Sequence, residues 1–467
     1  MQCFNPYLPL WEFIPDGEPR VFGDRVYVFG SHDAALSDTF CPGDYVAWSA
    51  PLSDLGNWRR EGVIYGRGDD PMNRDGGMCL FAPDVIRGFD GRYYLYYVLS
   101  QAHVVSVAVC DTPAGRYRFL GYVRDRQGNR LGERPGDQPQ FDPAVLADSG
   151  GVWLYGGYCE HGNRSRLGCQ VTRLAQDMLT VVREPETILP GREYAAGTEW
   201  EEHPYYEAPS IRKKDGEYYL VYSSAEGHEL CWAWSDRPEG GWRYGGVVIS
   251  NGDVGLSDGK RRDMAVYPMG NNHGGLAELN GQWYIFWHRH TNGTWFSRQG
   301  CADPVTFLPD GSIRQAAVSS CGLNGGPLKG EGEYPAAICC HLTAPGLPGF
   351  VPYPGSRKGP RVTREGSAPE AADFLADLEE GTVIGYKSFD FQGTDMVTLT
   401  CRRTEGCFDI ATAWDGPSLG RVEAEFTEDW RAFRGRAALP EGVHGLYLRF
   451  RGRTGQLRSL KLEVSRK

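Results

Sequence analysis

The chain has 467 residues, 41% of them hydrophobic and 23% charged, which is more than one ordinary core holds and predicts two domains, one of them large. Its formal net charge of -11 excludes the clustered Lys and Arg that a nucleic acid or an anionic membrane surface requires, and leaves small neutral substrates open. Aromatic residues make up 12%, beside 62 Gly and 30 Pro, a mixture that favours short strands and turns over helices.

The opening "MQCFNPYLPLWEF" has no basic segment followed by a long apolar run. Neither a signal peptide nor a membrane span is expected from it, and a cytoplasmic location follows. The 13 cysteines are an odd number without a C-x-x-C pair, as reduced thiols would be. In that compartment the sequons at Asn163 and Asn292 carry no glycan.

From residue 16 a pattern recurs. "DGEPRVFGDRVYVFGS", "APDVIRGFDGRYYLYYVLS", "FDPAVLADSGGVWLYGGY", "EAPSIRKKDGEYYLVYSS" and "NNHGGLAELNGQWYIFWH" each place a polar residue before a short apolar run, a Gly-containing turn and an aromatic-rich strand. Their marker glycines, Gly23, Gly91, Gly151, Gly216 and Gly281, are 68, 60, 65 and 65 residues apart. Each unit reads as a hairpin, with third strands near 45–58, 105–119 and 231–244 and fourth strands near 62–65 and 246–250. Four antiparallel strands repeated five times predict a five-bladed β-propeller over residues 1–325. The strands are apolar on both sides because neighbouring blades pack face to face. A Pro- and Gly-rich stretch within 326–360 reads as a linker or wrapping segment. Residues 361–467 return to alternating runs and predict a β-sandwich.

In a propeller the first strand of each blade lines the central channel, so equivalent positions some 60 residues apart meet at one mouth. Here they hold Asp16 or Glu18, Asp84, Asp142, Glu207 and His273. Any one acid before Pro is explained as a turn cap. Four carboxylates at one mouth repel each other and call for a chemical or ion-binding explanation. Glycoside hydrolysis suits them, since one acid protonates the leaving oxygen while another activates water or attacks the sugar.

"IPDGEPRVFGDRVYVFGSHD", "FDPAVLADSGG" and "YYEAPSIRKKDGEYYL" resemble the three motifs of glycoside hydrolase family 43, whose members include arabinofuranosidases and xylosidases. The resemblance covers residues 5–320. It implies Asp16 as catalytic base, Asp142 as modulator of the acid's pKa, Glu207 as general acid, and inversion of configuration. The first motif departs from the family's Asp-Pro, reading Asp-Gly-Glu-Pro, and keeps Glu18 as a second candidate for the base. Asp84 is a sugar-hydroxyl ligand or a turn cap. Arg298 in "FSRQ" resembles a family arginine that reaches the sugar, with an ion-paired arginine as the other reading. His273 resembles a family histidine on the axis that is associated with a water-ligated structural calcium; a metal-free channel histidine is the alternative. No cofactor is required for the chemistry. Trp11, Phe13 and Trp200 lie near the motifs as candidate sugar platforms, against core packing.

The C-terminal region resembles family 6 carbohydrate-binding modules, with Trp414 and Trp430 as platforms or core. "GLSDG" (255–259) matches G-x-S-x-G but lacks the strand-turn-helix of a nucleophile elbow. The expectation is an exo-acting hydrolase of arabinose- or xylose-containing oligosaccharides, α-L-arabinofuranosidase first and β-xylosidase second. A non-catalytic carbohydrate-binding propeller is the rival from another class.

Overall fold

A computed structural model describes residues 2–158, 167–256 and 261–465. The sequon at Asn163 and Ser257 of the G-x-S-x-G match lie outside them. The described residues form five four-stranded antiparallel sheets, each from one contiguous stretch of chain, between Glu18 and Arg314. The marker glycines fall where the repeat needs them: Gly91 and Gly216 turn their hairpins at φ 83° and 94°, a conformation that L side chains rarely adopt.

The first strands of the blades, Glu18–Phe22, Asp84–Arg87, Ala144–Asp148, Tyr205–Lys214 and Leu276–Leu279, adjoin one another around the channel, and the first meets the fifth. Each pair of neighbouring blades shares its own apolar core, which is why the strands carry no polar face. The ring closes between the fifth and first blades, where Tyr284, Phe286 and Ala302 pack on Val26, Val28 and Trp48. Tyr7 and Leu8 join that core from the N-terminal segment, and Asn5 pins the segment in place: its side chain accepts from Ala302 N (2.9 Å) and donates to Ala302 O (3.0 Å).

Beyond the propeller, long bent strands Met396–Ala411 and Gly442–Glu463 organise a second all-β body around one core that includes Phe389, Phe408 and Phe450. The expected linker needs correction in its first half. Leu328–Lys329, Gly332–Pro335 and His341–Thr343 pair with strands of this second body. Proline and glycine had masked strands only two to four residues long. The rest of the segment wraps over the propeller, with Met269 N donating to Gly349 O, Val351 N to Met269 O and Arg357 N to Gly293 O (2.8, 2.8 and 2.7 Å). Asp253 of the propeller ties the two bodies together, accepting from Lys387 Nζ (2.7 Å) and lying 3.2 Å from His341 Nε2.

Candidate active site

Three carboxylates are aimed by irregular backbone. Asp16 and Asp142 each sit two residues before their inner strand with φ of 56° and 45°, the left-handed region that costs a non-glycine residue free energy. Glu207 lies inside its strand, but register shifts on both sides mark a bulge, and Ala208 after it has φ 64°. A bulge re-aims the side chain it carries. All three acids line one cavity of about 580 Å³, within the range of small-molecule sites.

Asp16 is 6% exposed and firmly held. Its Oδ1 accepts from Arg298 Nη1 (3.1 Å), and its backbone N–H donates to His288 Nδ1 (3.2 Å). His288 Nε2 lies 2.9 Å from Asn271 O and donates to it, since Nδ1 is the acceptor. Burial pushes the His288 pKa well down, in keeping with that neutral ring. Arg298 is oriented in turn by Asp33, to which Nε and Nη2 donate at 2.8 and 3.0 Å. Its guanidinium lies 4.9 Å from the centre of the Phe40 ring. Arg298 therefore lines the cavity and is ion-paired at once.

Asp142 is pushed well above the usual carboxylate range, first by burial and then by the charges of Glu207 and Asp16; the Ala208 N–H opposes this. The negative charge of Glu207 thus bears directly on Asp142 across the cavity.

His273 lines the cavity with Nδ1 3.6 Å from Asp142 Oδ2, too far for a hydrogen bond. Burial lowers its pKa to about 4, so the ring is neutral at physiological pH. Calcium takes six to eight oxygens. Among the described residues no three His, Cys, Asp or Glu side chains are grouped to hold a metal, so an axial calcium beside His273 would be held through water and carbonyl oxygens.

Glu18, Asp84 and the three aromatic residues near the motifs do not reach the cavity, which corrects their expected place in it. Glu18 does not line the cavity: it is 2% exposed, receives Ser210 Oγ (3.2 Å), and forms ion pairs with Arg212 Nη2 (2.6 Å) and Arg20 Nη2 (3.4 Å). Asp84 is not at the mouth either, because Arg20 grips it at 3.0 and 2.6 Å and Val145 N donates to it at 2.7 Å. These groups are a buried ion network joining the inner strands. Trp200 packs in the core between the third and fourth blades, and Trp11 and Phe13 do not line the cavity. Trp414 lies against His341 and Tyr447, and Trp430 lies under Arg402 (4.4 Å) and against Phe374.

The cavity also uses residues that the motifs did not mark. Tyr353 arrives from the wrapping segment, is 61% exposed, and packs 5.1 Å from the Trp295 ring. Trp295 Nε1 donates to Val351 O (2.8 Å), fixing the segment to the fifth blade. Phe40, Trp295 and Tyr353 form an aromatic wall, and His228 from the fourth blade adjoins it. The Pro- and Gly-rich composition at 344–360 marked a wrapping segment but gave no signal for Tyr353 itself.

The family model of glycosyl hydrolases family 43 matches residues 13–313. A xylosidase/arabinosidase of Thermoclostridium stercorarium is 50% identical over 456 residues, 97% of this chain and 96% of that protein. An arabinoxylan arabinofuranohydrolase of Paenibacillus polymyxa is 27% identical over 483 residues, covering 92% of this chain and 69% of that one. Among solved structures, a family 43 arabinoxylan arabinofuranohydrolase from Bacillus subtilis in complex with cellotetraose shares the fold, with a TM-score of 0.53 at 20% identity over 98% of this chain and 97% of that one. With the match spanning all five blades and the cavity's three acids, the chain belongs to glycosyl hydrolase family 43 and is a glycoside hydrolase.

Proposed function

We propose that this hydrolase acts at chain ends of plant-derived oligosaccharides, releasing α-L-arabinofuranose or β-D-xylose with inversion of configuration. The observation that carries the reading is the convergence of Asp16, Asp142 and Glu207 on one cavity, with Arg298 gripping Asp16. The name of the Thermoclostridium relative, a xylosidase/arabinosidase, supports a pentosidase of this dual class; arabinofuranosidase as the main activity and xylosidase as the second is our own ordering.

In this mechanism Asp16 takes a proton from water as the water oxygen attacks the anomeric carbon. Glu207 gives its proton to the glycosidic oxygen, which leaves with the electron pair of the broken bond. Neither residue bonds to the sugar. Asp142 sits buried beside Glu207 and favours retention of the proton on the pair. Turnover of nitrophenyl α-L-arabinofuranoside, β-D-xyloside and a galactoside, together with arabino-oligosaccharides, tests the substrate class. NMR of the first-formed sugar tests inversion. Failure to hydrolyse either pentoside overturns the pentosidase reading.

Asp142→Asn separates the modulator from a simple cap. The general acid must be protonated, so activity falls as pH rises through its pKa. Removing a neighbouring negative charge lowers that pKa, and the alkaline limb of kcat/KM should move to lower pH by about one unit or more. An unchanged limb would make Asp142 a structural residue.

Tyr353 offers a ring face at the cavity mouth, where the rest of an oligosaccharide lies when its terminal sugar is inside. Tyr353→Ala is expected to raise KM for oligosaccharides severalfold, about 1 kcal/mol of binding, with a smaller change for nitrophenyl glycosides. Equal KM changes on both would place Tyr353 beside the terminal sugar instead.

A further inference from the structure

His228 belongs to none of the three acid motifs, yet its position is specified in unusual detail. It closes the hairpin between Glu217–Ser224 and Leu230–Ser235, where Gly227 and His228 both take left-handed backbone (φ 85° and 52°). Its own N–H donates to Ser224 O (3.2 Å), and Ser224 N–H donates across the turn to Glu229 O (3.0 Å). Ser223, which pairs with Glu207 of the adjacent strand Tyr205–Lys214, lies with Oγ 3.0 Å from His228 Nδ1. Tyr206 and Trp295 meet the imidazole nearly perpendicular, at 4.9 and 5.8 Å between ring centres. The ring is thus locked in orientation by the hydroxyl and two aromatic neighbours.

The only side-chain hydrogen bond of His228 among the described residues is the one at Nδ1, which leaves Nε2 without one, and the residue lines the catalytic cavity. Burial lowers the His228 pKa to about 4, with the Arg192 charge adding to the effect, so the ring is neutral at physiological pH. A neutral imidazole presents one nitrogen as donor and the other as acceptor, and a serine hydroxyl serves Nδ1 in either tautomer. Nε2 is therefore free to donate to or accept from a hydroxyl of a neutral ligand.

We propose that His228 is a specificity-determining residue, hydrogen-bonding through Nε2 to one ring hydroxyl of the bound sugar beside Glu207. The inference rests on the pentosidase reading and deepens it. A site built to pair with a hydroxyl discriminates against sugars that lack or misplace it, because its polar atom is then left unpaired. Arabinofuranose and xylopyranose differ in where their hydroxyls project, so one fixed Nε2 biases the choice between them.

The test uses the full chain, nitrophenyl glycosides of the preferred pentose and its monodeoxy analogues, and two variants. His228→Asn tolerates the left-handed backbone and can keep the Ser223 contact while losing the Nε2 position. His228→Gln places an amide near Nε2. His228→Asn should lower kcat/KM on the parent sugar about tenfold with little change in unfolding temperature, and His228→Gln should recover part of the loss. On one monodeoxy analogue, wild type and His228→Asn should become equal, while on the others the tenfold ratio persists. The same ratio on every analogue, or a His228→Asn enzyme as active as wild type, overturns the role of His228 and leaves the pentosidase reading intact. Absence of wild-type turnover on either parent pentoside overturns the reading itself, and the inference with it.

Discussion

Glu207→Ala should lower kcat on arabino- or xylo-oligosaccharides by about 10²- to 10⁴-fold, the usual contribution of a positioned proton donor, while nitrophenyl glycosides lose far less. The difference arises in the leaving group. A sugar hydroxyl leaves poorly as an alkoxide and needs the proton, whereas nitrophenolate departs without one. The alkaline limb of the pH profile should also disappear in the variant, since that limb reports loss of the general acid's proton. Glu207 is placed by a backbone bulge and is followed by left-handed Ala208, so an unfolding midpoint like that of wild type would show that the Ala variant keeps this local structure. Equal losses on natural and nitrophenyl substrates would assign Glu207 to binding or to the water-activating role. Activity like that of wild type on both would remove it from the chemistry.

The propeller was legible because its signal is repetition. Five hairpins at 60- to 68-residue spacing are one supersecondary unit written five times, and packing between blades forces the same apolar strands in each. The same alignment brought Asp16, Asp142 and Glu207 together, since equivalent positions share the channel mouth. It misled for Asp84 and Glu18. Position along a strand fixes the neighbourhood of a side chain but not its partner, and Arg20 and Arg212, which bind these two acids, occupy unremarkable places in their strands. Trp200 was misread for a related reason. Nearness to a motif in sequence does not bring a side chain to the cavity, and an indole finds more apolar surface in the core between blades. Tyr353 and His228 were missed because loops place them. One comes from a wrapping segment more than fifty residues beyond the fifth blade's hairpin, and the other from a turn whose shape depends on backbone bonds that no pattern of residue types encodes.

Asp16 and Glu18, two residues apart, should fail in different ways when mutated. Asp16→Ala should stay folded and lose about 10²- to 10⁴-fold in kcat on every substrate, including nitrophenyl glycosides, because attack by water needs the base whatever the leaving group. Azide should restore turnover of an activated nitrophenyl substrate in this variant. The anion needs no deprotonation, fits where the carboxylate stood, and displaces nitrophenolate to give the glycosyl azide of inverted configuration. Glu18→Gln removes charge from a buried network in which Arg20 and Arg212 both rely on it. Breaking one side of a buried ion pair costs about 3–5 kcal/mol, so the unfolding midpoint of a propeller of this size should fall by about 5–8 °C. The folded fraction should keep its kcat within about threefold, because Glu18 does not line the cavity. Loss of kcat with an unchanged midpoint in Glu18→Gln, and azide rescue there instead of in Asp16→Ala, would transfer the base role to Glu18. The contrast rests on what each acid faces: Arg298 holds Asp16 at the edge of an open cavity, whereas the pairings of Glu18 are internal.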